Sequence, residues 1–241
     1  MKNYEEEYWA SRSKNYNGTN WVKNDSFMDA FLSLLPTDIY FKNVLEIGIG
    51  TGAVAKELIK RVDKITGIDI SEEMMSGIQN PQINTKVADA HSLPFGTTSH
   101  DLIYMRNVLH YLESPIKVIS EINRCLENNG YFLFSQVIPF SDKISKEYDW
   151  LINRNIHYPT SREIVDLFRN FSIIEQSEFI LKSQSVNNWL NNTCSDKDIK
   201  NEIVLRHKKT SPDYKKMVNY YEEDGDILID IKHLLLLAKK I

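Results

Sequence analysis

The sequence predicts an α/β fold in which helices cover both faces of a mostly parallel sheet. Three observations predict it: apolar strand patterns alternate with helical patterns, a glycine-rich turn follows the first strand, and acidic residues end the next two strands. Such alternation is typical of a parallel sheet whose strands are buried on both faces. With 241 residues, of which 42% are hydrophobic and 26% charged, the chain is long enough for one well-buried domain.

Local signals place the elements of the predicted core, residues 41–182. A helix should begin at Ser114 and Pro115, because serine is a favoured N-cap and proline suits the first helical position. Thr160 and Glu163 have the spacing of a capping box and should begin another helix. In the helix that begins at Ser114, the predicted apolar positions are Ile116, Ile119, Ile122 and Leu126. Six core strands are expected at about 44–48, 64–70, 83–89, 100–107, 130–138 and 171–180.

Three further segments flank or interrupt this core. Residues 1–40 carry many aromatic side chains and an amphipathic stretch that stops at Pro36, which predicts an N-terminal helical cap. Residues 183–226 are polar and rich in asparagine and lysine, and we interpret them as a lid insertion. Residues 227–241 contain an apolar run and should form the final strand of the same domain.

The most informative motif lies in residues 44–53, where an apolar strand leads into a turn with glycines at Gly48, Gly50 and Gly52 and then into a helix. Glycine permits backbone conformations that other residues avoid, and the helix offers free N–H groups to a ligand. The motif therefore predicts a nucleotide pocket. It also satisfies the dinucleotide pattern G-x-G-x-x-G/A, so the turn alone leaves NAD(P) open as the ligand.

Acidic residues end the second and third strands of this unit. Asp69 lies 19 residues after Gly50, and Asp89 ends the next strand. Because ligands of open α/β sheets bind outside the carboxyl ends of the strands, both carboxylates should face one crevice. Asp69 is suited to accept hydrogen bonds from two ribose hydroxyls, a contact that any adenosine-containing ligand would use.

Taken together, Glu46, the packed Gly50-Thr51-Gly52, Asp69 and Asp89 resemble the motifs of a class I S-adenosylmethionine-dependent methyltransferase. The small bacterial enzymes of the type 11 group are the nearest likeness, over roughly residues 41–180. The resemblance implies a Rossmann-like, seven-stranded, mostly parallel sheet with an antiparallel last strand. It implies S-adenosyl-L-methionine as cofactor and S-adenosyl-L-homocysteine as product.

The resemblance also implies roles for single residues. Glu46 would orient the methionine end of the cofactor, Asp89 would accept a hydrogen bond from the adenine amino group, and the Ala90 N–H would reach a ring nitrogen. Met74 and Leu93 are candidates to sandwich the adenine. The predicted cofactor-binding residues are Glu46, Gly48, Gly50, Thr51, Gly52, Asp69, Ile70, Met74, Asp89, Ala90, Arg106, Tyr16 and Arg12.

The cofactor carries the reactive methyl group, so the protein mainly supplies positioning and removal of a proton. His110 after the fourth strand and His157 after the fifth are candidate general bases, because imidazole titrates near neutral pH; a structural role is open for both. The aromatic residues of the N-terminal cap either close over the site or staple the first helix to the core. The predicted acceptor-binding residues are Asn107, Tyr111, Trp9 and Trp189.

Composition narrows the partners. A net charge of −4 and a pI near 5.9 leave no basic footprint for nucleic acid, so the expected acceptor is a small molecule such as a specialised metabolite. Cys125 and Cys194 lack metal-ligand or disulfide spacing, and the acidic N-terminus is unlike a signal peptide. We therefore expect a cytoplasmic protein that holds no metal and has no membrane partner. The expected oligomeric state is a monomer or a homodimer.

Two rival functions fit parts of the same pattern. A nicotinamide-dependent oxidoreductase would use the glycine turn, but no Tyr-x-x-x-Lys proton relay is convincingly placed in the sequence. A non-catalytic protein that binds S-adenosylmethionine would have the same cofactor residues. Such a protein would lack an acceptor cavity, so an acceptor-sized cavity beside the cofactor site would favour a methyltransferase over a non-catalytic binding protein.

Overall fold

The structure is a computed structural model that describes residues 4–152 and 156–241. Its centre is an eight-stranded sheet with the order β3-β2-β1-β4-β5-β8-β6, in which β7 pairs with β8. The strands are β1 (Val44–Ile47), β2 (Ile65–Asp69), β3 (Ile83–Val87), β4 (His100–Arg106), β5 (Leu126–Ile138), β6 (Phe171–Ser185), β7 (Tyr221–Glu223) and β8 (Asp226–Lys240).

The sheet is parallel from β3 to β5 and antiparallel at its other side. β1 pairs with β2 and β4 in parallel, whereas β8 pairs antiparallel with both β5 and β6. This arrangement confirms the predicted fold class. The short β7 is an eighth strand that the sequence did not predict, and β6 continues five residues beyond the predicted end at residue 180.

Helices lie on both faces of the sheet and above one end of it. Two apolar clusters flank the sheet, and a third packs α6 and α8 to α10 against β8. The third cluster shows that the helical cover includes α6, outside the predicted insertion at 183–226. The helices are α1 (Tyr4–Ala10), α2 (Asp25–Leu32), α3 (Ala53–Leu58), α4 (Glu72–Met75), α5 (Pro115–Cys125), α6 (Ser145–Leu151), α7 (Ser161–Leu167), α8 (Val186–Thr193), α9 (Lys197–Lys209) and α10 (Pro212–Met217).

Local capping explains where two predicted helices begin. The Thr160 side chain accepts from the Glu163 N–H, and Glu163 accepts in return from the Thr160 N–H, so the predicted capping box at α7 is present. The prediction for α5 is partly wrong. Ser114 is the N-cap residue and Pro115 the first helical residue, as predicted, but the Ser114 side chain makes no capping hydrogen bond. Ile116 is 73% exposed because the first turn of α5 lies outside the core, and Leu126 begins β5 instead of continuing the helix. The buried face consists of Val118, Ile119, Ile122 and Cys125.

The N-terminal segment connects the glycine turn to the helical cover. The Thr51 hydroxyl donates to Asn17 Oδ1 at 2.7 Å, next to the start of α3. On the other side, Asn188 in α8 accepts from the Asn20 N–H at 2.9 Å and donates to the Gly18 carbonyl at 3.1 Å. One short segment therefore fixes both sides of the region where the strands end.

Candidate active site

Two adjoining cavities lie at the carboxyl ends of the parallel strands, where ligands of open α/β sheets bind. The first, the glycine-turn cleft, has a volume of about 230 Å³ and extends from the turn after β1 past the ends of β2 and β4. The second, the lid cavity, has a volume of about 510 Å³ and lies between the N-terminal segment, α6 and α8 to α10. Both walls include the same five junction residues, Trp9, Tyr16, Trp21, Asn107 and Tyr111.

The glycine turn lines the cleft, and its three glycines adopt left-handed backbone conformations. The φ angles of Gly48, Gly50 and Gly52 are +69°, +53° and +74°, which other residues rarely adopt. A Cβ atom at Gly48 would also lie 2.3 Å from Val108 Cγ2. Both strain and lack of space therefore exclude a larger residue at Gly48.

Asp69, at the end of β2, holds the turn from the side. Its Oδ2 accepts from the Gly50 N–H at 2.9 Å, and its Oδ1 accepts from the Ser71 N–H at 3.0 Å. Burial raises the pKa of Asp69, and these two hydrogen bonds oppose the rise. The carboxylate lines the cleft, and each oxygen keeps a further lone pair for ligand hydroxyls.

A buried carboxyl and a buried cation share one wall of the cleft. Burial raises the pKa of Glu46 to about 8, although the Tyr104 hydroxyl donates to its Oε2 at 2.8 Å. Burial lowers the pKa of Arg106 to about 10, so its guanidinium stays charged. The Arg106 Nη groups donate to the carbonyls of Trp21 and Val22 at 2.7 and 2.9 Å. Its Nε has no hydrogen-bond partner in the part of the chain that the structure describes.

Asp89 lies at the far end of the cleft and is oriented by His91. The backbone N–H and ring Nδ1 of His91 lie 2.8 and 2.7 Å from Asp89 Oδ1. Because Nε2 of His91 accepts from the Ser114 N–H at 3.2 Å, the ring carries its proton on Nδ1 and donates it to Asp89. Burial acts to raise the pKa of Asp89, but these bonds outweigh it and lower the pKa.

His110 lies at the junction side of the lid cavity and is held by Gln136. Nδ1 of His110 lies 2.7 Å from Gln136 Nε2, which also donates to the Val137 carbonyl at 3.1 Å. The His110 ring stacks on Tyr158 with centroids 4.5 Å apart. Its neighbour Asn107 adopts φ +55° and accepts from the Val137 N–H at 2.9 Å, which fixes the end of β4 against β5.

His157, the second predicted base, lies outside both cavities. Its Nδ1 is 2.7 Å from Asp149 Oδ2, and its Nε2 is 3.2 Å from Glu163 Oε2. Burial alone would lower the pKa of His157, but the two carboxylates outweigh it and raise the pKa. This surface position, with a carboxylate at each ring nitrogen, argues against the predicted catalytic role.

Eleven of the predicted cofactor-binding residues line the cleft, and two do not. Gly52 is the N-cap of α3 and faces Ile78 instead. The Arg12 guanidinium lies 3.4 Å from the Tyr8 ring centroid and lines the lid cavity, so it is placed on the acceptor side. Those in the cleft are Glu46, Gly48, Gly50, Thr51, Asp69, Ile70, Met74, Asp89, Ala90, Arg106 and Tyr16. Leu93, the second candidate for the adenine, is not in its wall.

The predicted acceptor-binding residues Asn107, Tyr111, Trp9 and Trp189 all line the lid cavity. Trp9 packs edge-on against Tyr111 with ring centroids 4.8 Å apart, at the junction. Sequence reasoning missed four residues of the site, Trp21, His91, Gln136 and His233. For His91 a signal existed, because it directly follows the Asp89-Ala90 strand end. For His233 the only signal was a histidine inside an apolar strand.

Within residues 4–152 and 156–241, no group of three or more histidine, cysteine, aspartate or glutamate side chains is arranged to hold a metal ion. In the same ranges, none of the helices is both long enough and apolar enough to span a bilayer.

The sheet order, the antiparallel β8, the glycine turn after β1 and the carboxylates at the strand ends are features of the class I S-adenosylmethionine-dependent methyltransferase fold. S-adenosyl-L-methionine is the cofactor of this class. A family comparison confirms the resemblance predicted from the sequence, because residues 45–134 match the model of the methyltransferase domain family.

Relatives and solved structures agree with this assignment. A malonyl-[acyl-carrier protein] O-methyltransferase of Legionella pneumophila is 30% identical over 105 residues, which cover 41% of this chain and 37% of that protein. The uncharacterised methyltransferase YcgJ of Bacillus subtilis is 29% identical over 120 residues, 46% of this chain and 47% of that protein. The matched part of the chain thus spans less than half the length of each relative.

The fold extends well beyond the matched residues. A solved structure of a candidate methyltransferase from Bacillus halodurans superposes with a TM-score of 0.79 at 19% identity, and the match covers 89% of this chain and 99% of that one. At this identity the likeness concerns the fold alone.

Proposed function

We propose that this protein is an enzyme that transfers a methyl group from S-adenosyl-L-methionine to an oxygen or nitrogen atom of a small molecule. The observation that carries the proposal is the contact between the two cavities. The glycine-turn cleft meets the lid cavity across the five junction residues, so a cofactor in one and an acceptor in the other would be neighbours. A protein that only binds the cofactor has no need of the second cavity.

The wall that holds Glu46 and Arg106 fits the amino-acid end of the cofactor. Glu46 holds a proton at neutral pH because it is buried, and a ligand ammonium group would stabilise its ionised form. Arg106 offers a buried Nε–H donor that has no partner among the described residues, and a ligand carboxylate would satisfy it. A zwitterionic amino-acid group supplies both the ammonium for Glu46 and the carboxylate for Arg106. NAD(P) has no such group.

The remaining cleft residues suit an adenosine. Asp69 presents acceptor oxygens for ribose hydroxyls, and Asp89 presents its carboxylate further along the cleft, near Ala90, for the adenine amino group. Met74 is buried beside Gly50 and supplies an apolar face for the base. When bound, S-adenosyl-L-methionine supplies an electrophilic methyl group on a sulfonium.

On the acceptor side, the chain would bind and orient the acceptor and keep water out of the cavity. Trp9 and Tyr111 form an aromatic wall at the junction, and Trp189 extends that wall along α8. The N-terminal segment and α8 are joined through Asn188, so the cavity is covered. Gln136 donates to Nδ1 of His110, which leaves the proton of a neutral imidazole on Nε2. We infer that His110 orients the acceptor as a hydrogen-bond donor.

The similarity to a malonyl-[acyl-carrier protein] O-methyltransferase supports oxygen as the target atom, since that relative is named as an O-methyltransferase. The lid cavity has the size of a small-molecule site, which supports a compact acceptor.

The proposal is tested with a methyl-transfer assay on a panel of hydroxyl- and amine-bearing small molecules, with S-adenosyl-L-methionine labelled in the methyl group. We expect one acceptor class to gain label and one methyl group by mass spectrometry. Asp69→Ala should reduce the transfer rate at a fixed cofactor concentration, whereas Asp166→Ala, an exposed aspartate on α7, should not. Normal cofactor binding without transfer to any member would favour an accessory protein.

A further inference from the structure

The wall of the lid cavity is mainly apolar and neutral in its interior. Its lining combines aromatic side chains and neutral polar side chains with aliphatic ones from β8 and the helical cover, among them Ile203, Leu190 and Ile229. The charged side chains in the wall are Arg12, Asp196 and Lys200, and each of them is partly or fully exposed. Lys200 donates to Asn191 at 3.1 Å. Among the described residues of this wall, charge is therefore carried only by side chains that also reach solvent.

Three neutral residues of this wall have polar atoms that are buried and have no hydrogen-bond partner within the ranges described. They are both ring nitrogens of His233, the Tyr214 hydroxyl and Gln184 Oε1. A buried polar atom without a partner is unfavourable, so native proteins rarely retain several around one cavity. A ligand group that reached these atoms would supply the missing hydrogen bonds.

His233 is the one of the three that lies next to the cofactor side. It is on β8, opposite Val137 of β5, whose N–H is bound by the junction residue Asn107. Its ring packs on Phe27 with centroids 4.7 Å apart and is fully buried. Burial, together with the nearby Arg106 and His110, lowers the pKa of His233. The ring is therefore neutral, with one donor and one acceptor nitrogen.

We propose that His233 is an acceptor-binding residue, and that the acceptor is an uncharged, mainly apolar molecule whose hydroxyl or amino group it hydrogen-bonds. This inference rests on the proposed function. Among the described residues, the nearest buried charge to His233 is Arg106, which lines the glycine-turn cleft and is assigned there to the cofactor carboxylate. An ionised acceptor in the lid cavity would therefore lack a counter-charge of its own, which is unfavourable. A neutral hydroxyl or amine satisfies a neutral imidazole without that cost. Entry of this group requires a small side-chain shift, because the His233 nitrogens are covered.

Three probes of one size separate the charge classes: 2-naphthol, 2-naphthoate and 2-(aminomethyl)naphthalene, which is cationic at neutral pH. Each is titrated by calorimetry into protein saturated with S-adenosyl-L-homocysteine. We expect 2-naphthol to bind at least about tenfold more tightly than either ion, as one buried hydrogen bond and one avoided charge predict. Equal or tighter binding of an ion, or failure of 2-naphthol to bind, would overturn the proposal.

Variants test His233 itself. H233F should weaken 2-naphthol binding about tenfold, and H233Q should retain part of it because an amide both donates and accepts. H157Q is the matched control, since His157 lies outside both cavities. The thermal midpoint should rise in H233F, because an unpartnered buried polar group is removed. A fall in the midpoint with unchanged 2-naphthol affinity would show a structural histidine.

The cofactor readout keeps the two proposals apart. All three variants should bind S-adenosyl-L-homocysteine within about twofold of the wild type, because none of the substituted residues lines the glycine-turn cleft. Loss of that binding in the wild type would contradict the proposed function rather than the role of His233.

Discussion

The side-chain amide of Gln136 lies 2.7 Å from Nδ1 of His110 and fixes the tautomer of the imidazole. The same Nε2 donates to the Val137 carbonyl at 3.1 Å, so the amide cannot be turned over without placing two carbonyl oxygens together. Nδ1 must then accept, and the neutral ring carries its proton on Nε2. The geometry favours an acceptor-orienting donor over the general base that the sequence suggested as one role.

Gln136→Glu should reverse this tautomer. A carboxylate accepts from Nδ1–H instead of donating to it, so the proton of a neutral ring moves from Nε2 to Nδ1. We expect the ¹⁵N shifts of His110 in the wild type to report a protonated Nε2, and the variant to show a protonated Nδ1. Gln176→Glu, exposed on β6, is the control and should leave the His110 signals unchanged. A protonated Nδ1 in the neutral wild-type ring would refute the assigned orientation.

Glu46 should release a proton when the cofactor product binds. Its pKa of about 8 leaves it protonated at pH 7, and the ligand ammonium favours the ionised form. Binding of S-adenosyl-L-homocysteine at pH 7 should therefore release roughly one proton, measured by calorimetry in buffers of different ionisation enthalpy. Glu46→Gln should release none and bind about tenfold more weakly. Equal proton release by both proteins would mean that Glu46 does not meet the ammonium.

The same residue should make the ligand-free protein less stable as the pH rises from about 4.5 to about 8. The folded state holds a proton on Glu46 that the unfolded chain has lost above about 4.5. The unfolded state thus binds fewer protons, and the free energy of unfolding falls as the pH rises from about 4.5 to about 8. In urea denaturation at several pH values, the free energy of unfolding of Glu46→Gln should increase relative to that of the wild type by at most ~1.4 kcal/mol per pH unit. Parallel curves would contradict this expectation.

Replacement of Asp69 or Asp89 by alanine should weaken cofactor binding in both cases, but only the Asp69 variant should lose much folding stability. Asp69→Ala leaves the Gly50 and Ser71 N–H groups without their carboxylate, so the free energy of unfolding should fall by about 1–3 kcal/mol along with the cofactor affinity. Asp89 is largely exposed, and the hydrogen bonds of its side chain within residues 4–152 and 156–241 go to His91. Asp89→Ala should therefore weaken cofactor binding with little loss of stability. Denaturation and calorimetry on both variants, with Asp166→Ala as control, check this difference. Unchanged cofactor affinity in both would refute the assigned cleft.

The sequence predicted the sheet and the cleft because both depend on local patterns. Strand alternation, the glycine spacing and the acidic strand ends are readable without distant contacts, and they placed Asp69 and Asp89 in one crevice. The roles of Glu46 and Asp89 came from the resemblance to the methyltransferase family. All three residues line the glycine-turn cleft. The exposed Ile116 shows the limit of periodicity, since helical spacing does not say where a helix leaves the core.

The acceptor side could be predicted much less well, because it is made by contacts between distant segments. Gln136 meets His110 only through the pairing of β4 with β5, and His233 looks like one polar residue in an apolar strand. Arg12 was assigned to the cofactor from its charge, but packing on Tyr8 turns it to the lid cavity. His157 followed the fifth strand as expected, yet two carboxylates hold it at the surface.

The most direct test is a calorimetric titration of the purified protein with S-adenosyl-L-methionine, S-adenosyl-L-homocysteine and NADH in parallel. We predict micromolar binding of the first two ligands and none of NADH, because the wall of Glu46 and Arg106 suits a zwitterionic amino-acid group. Binding of NADH alone would contradict the central claim and assign the glycine turn to a dinucleotide.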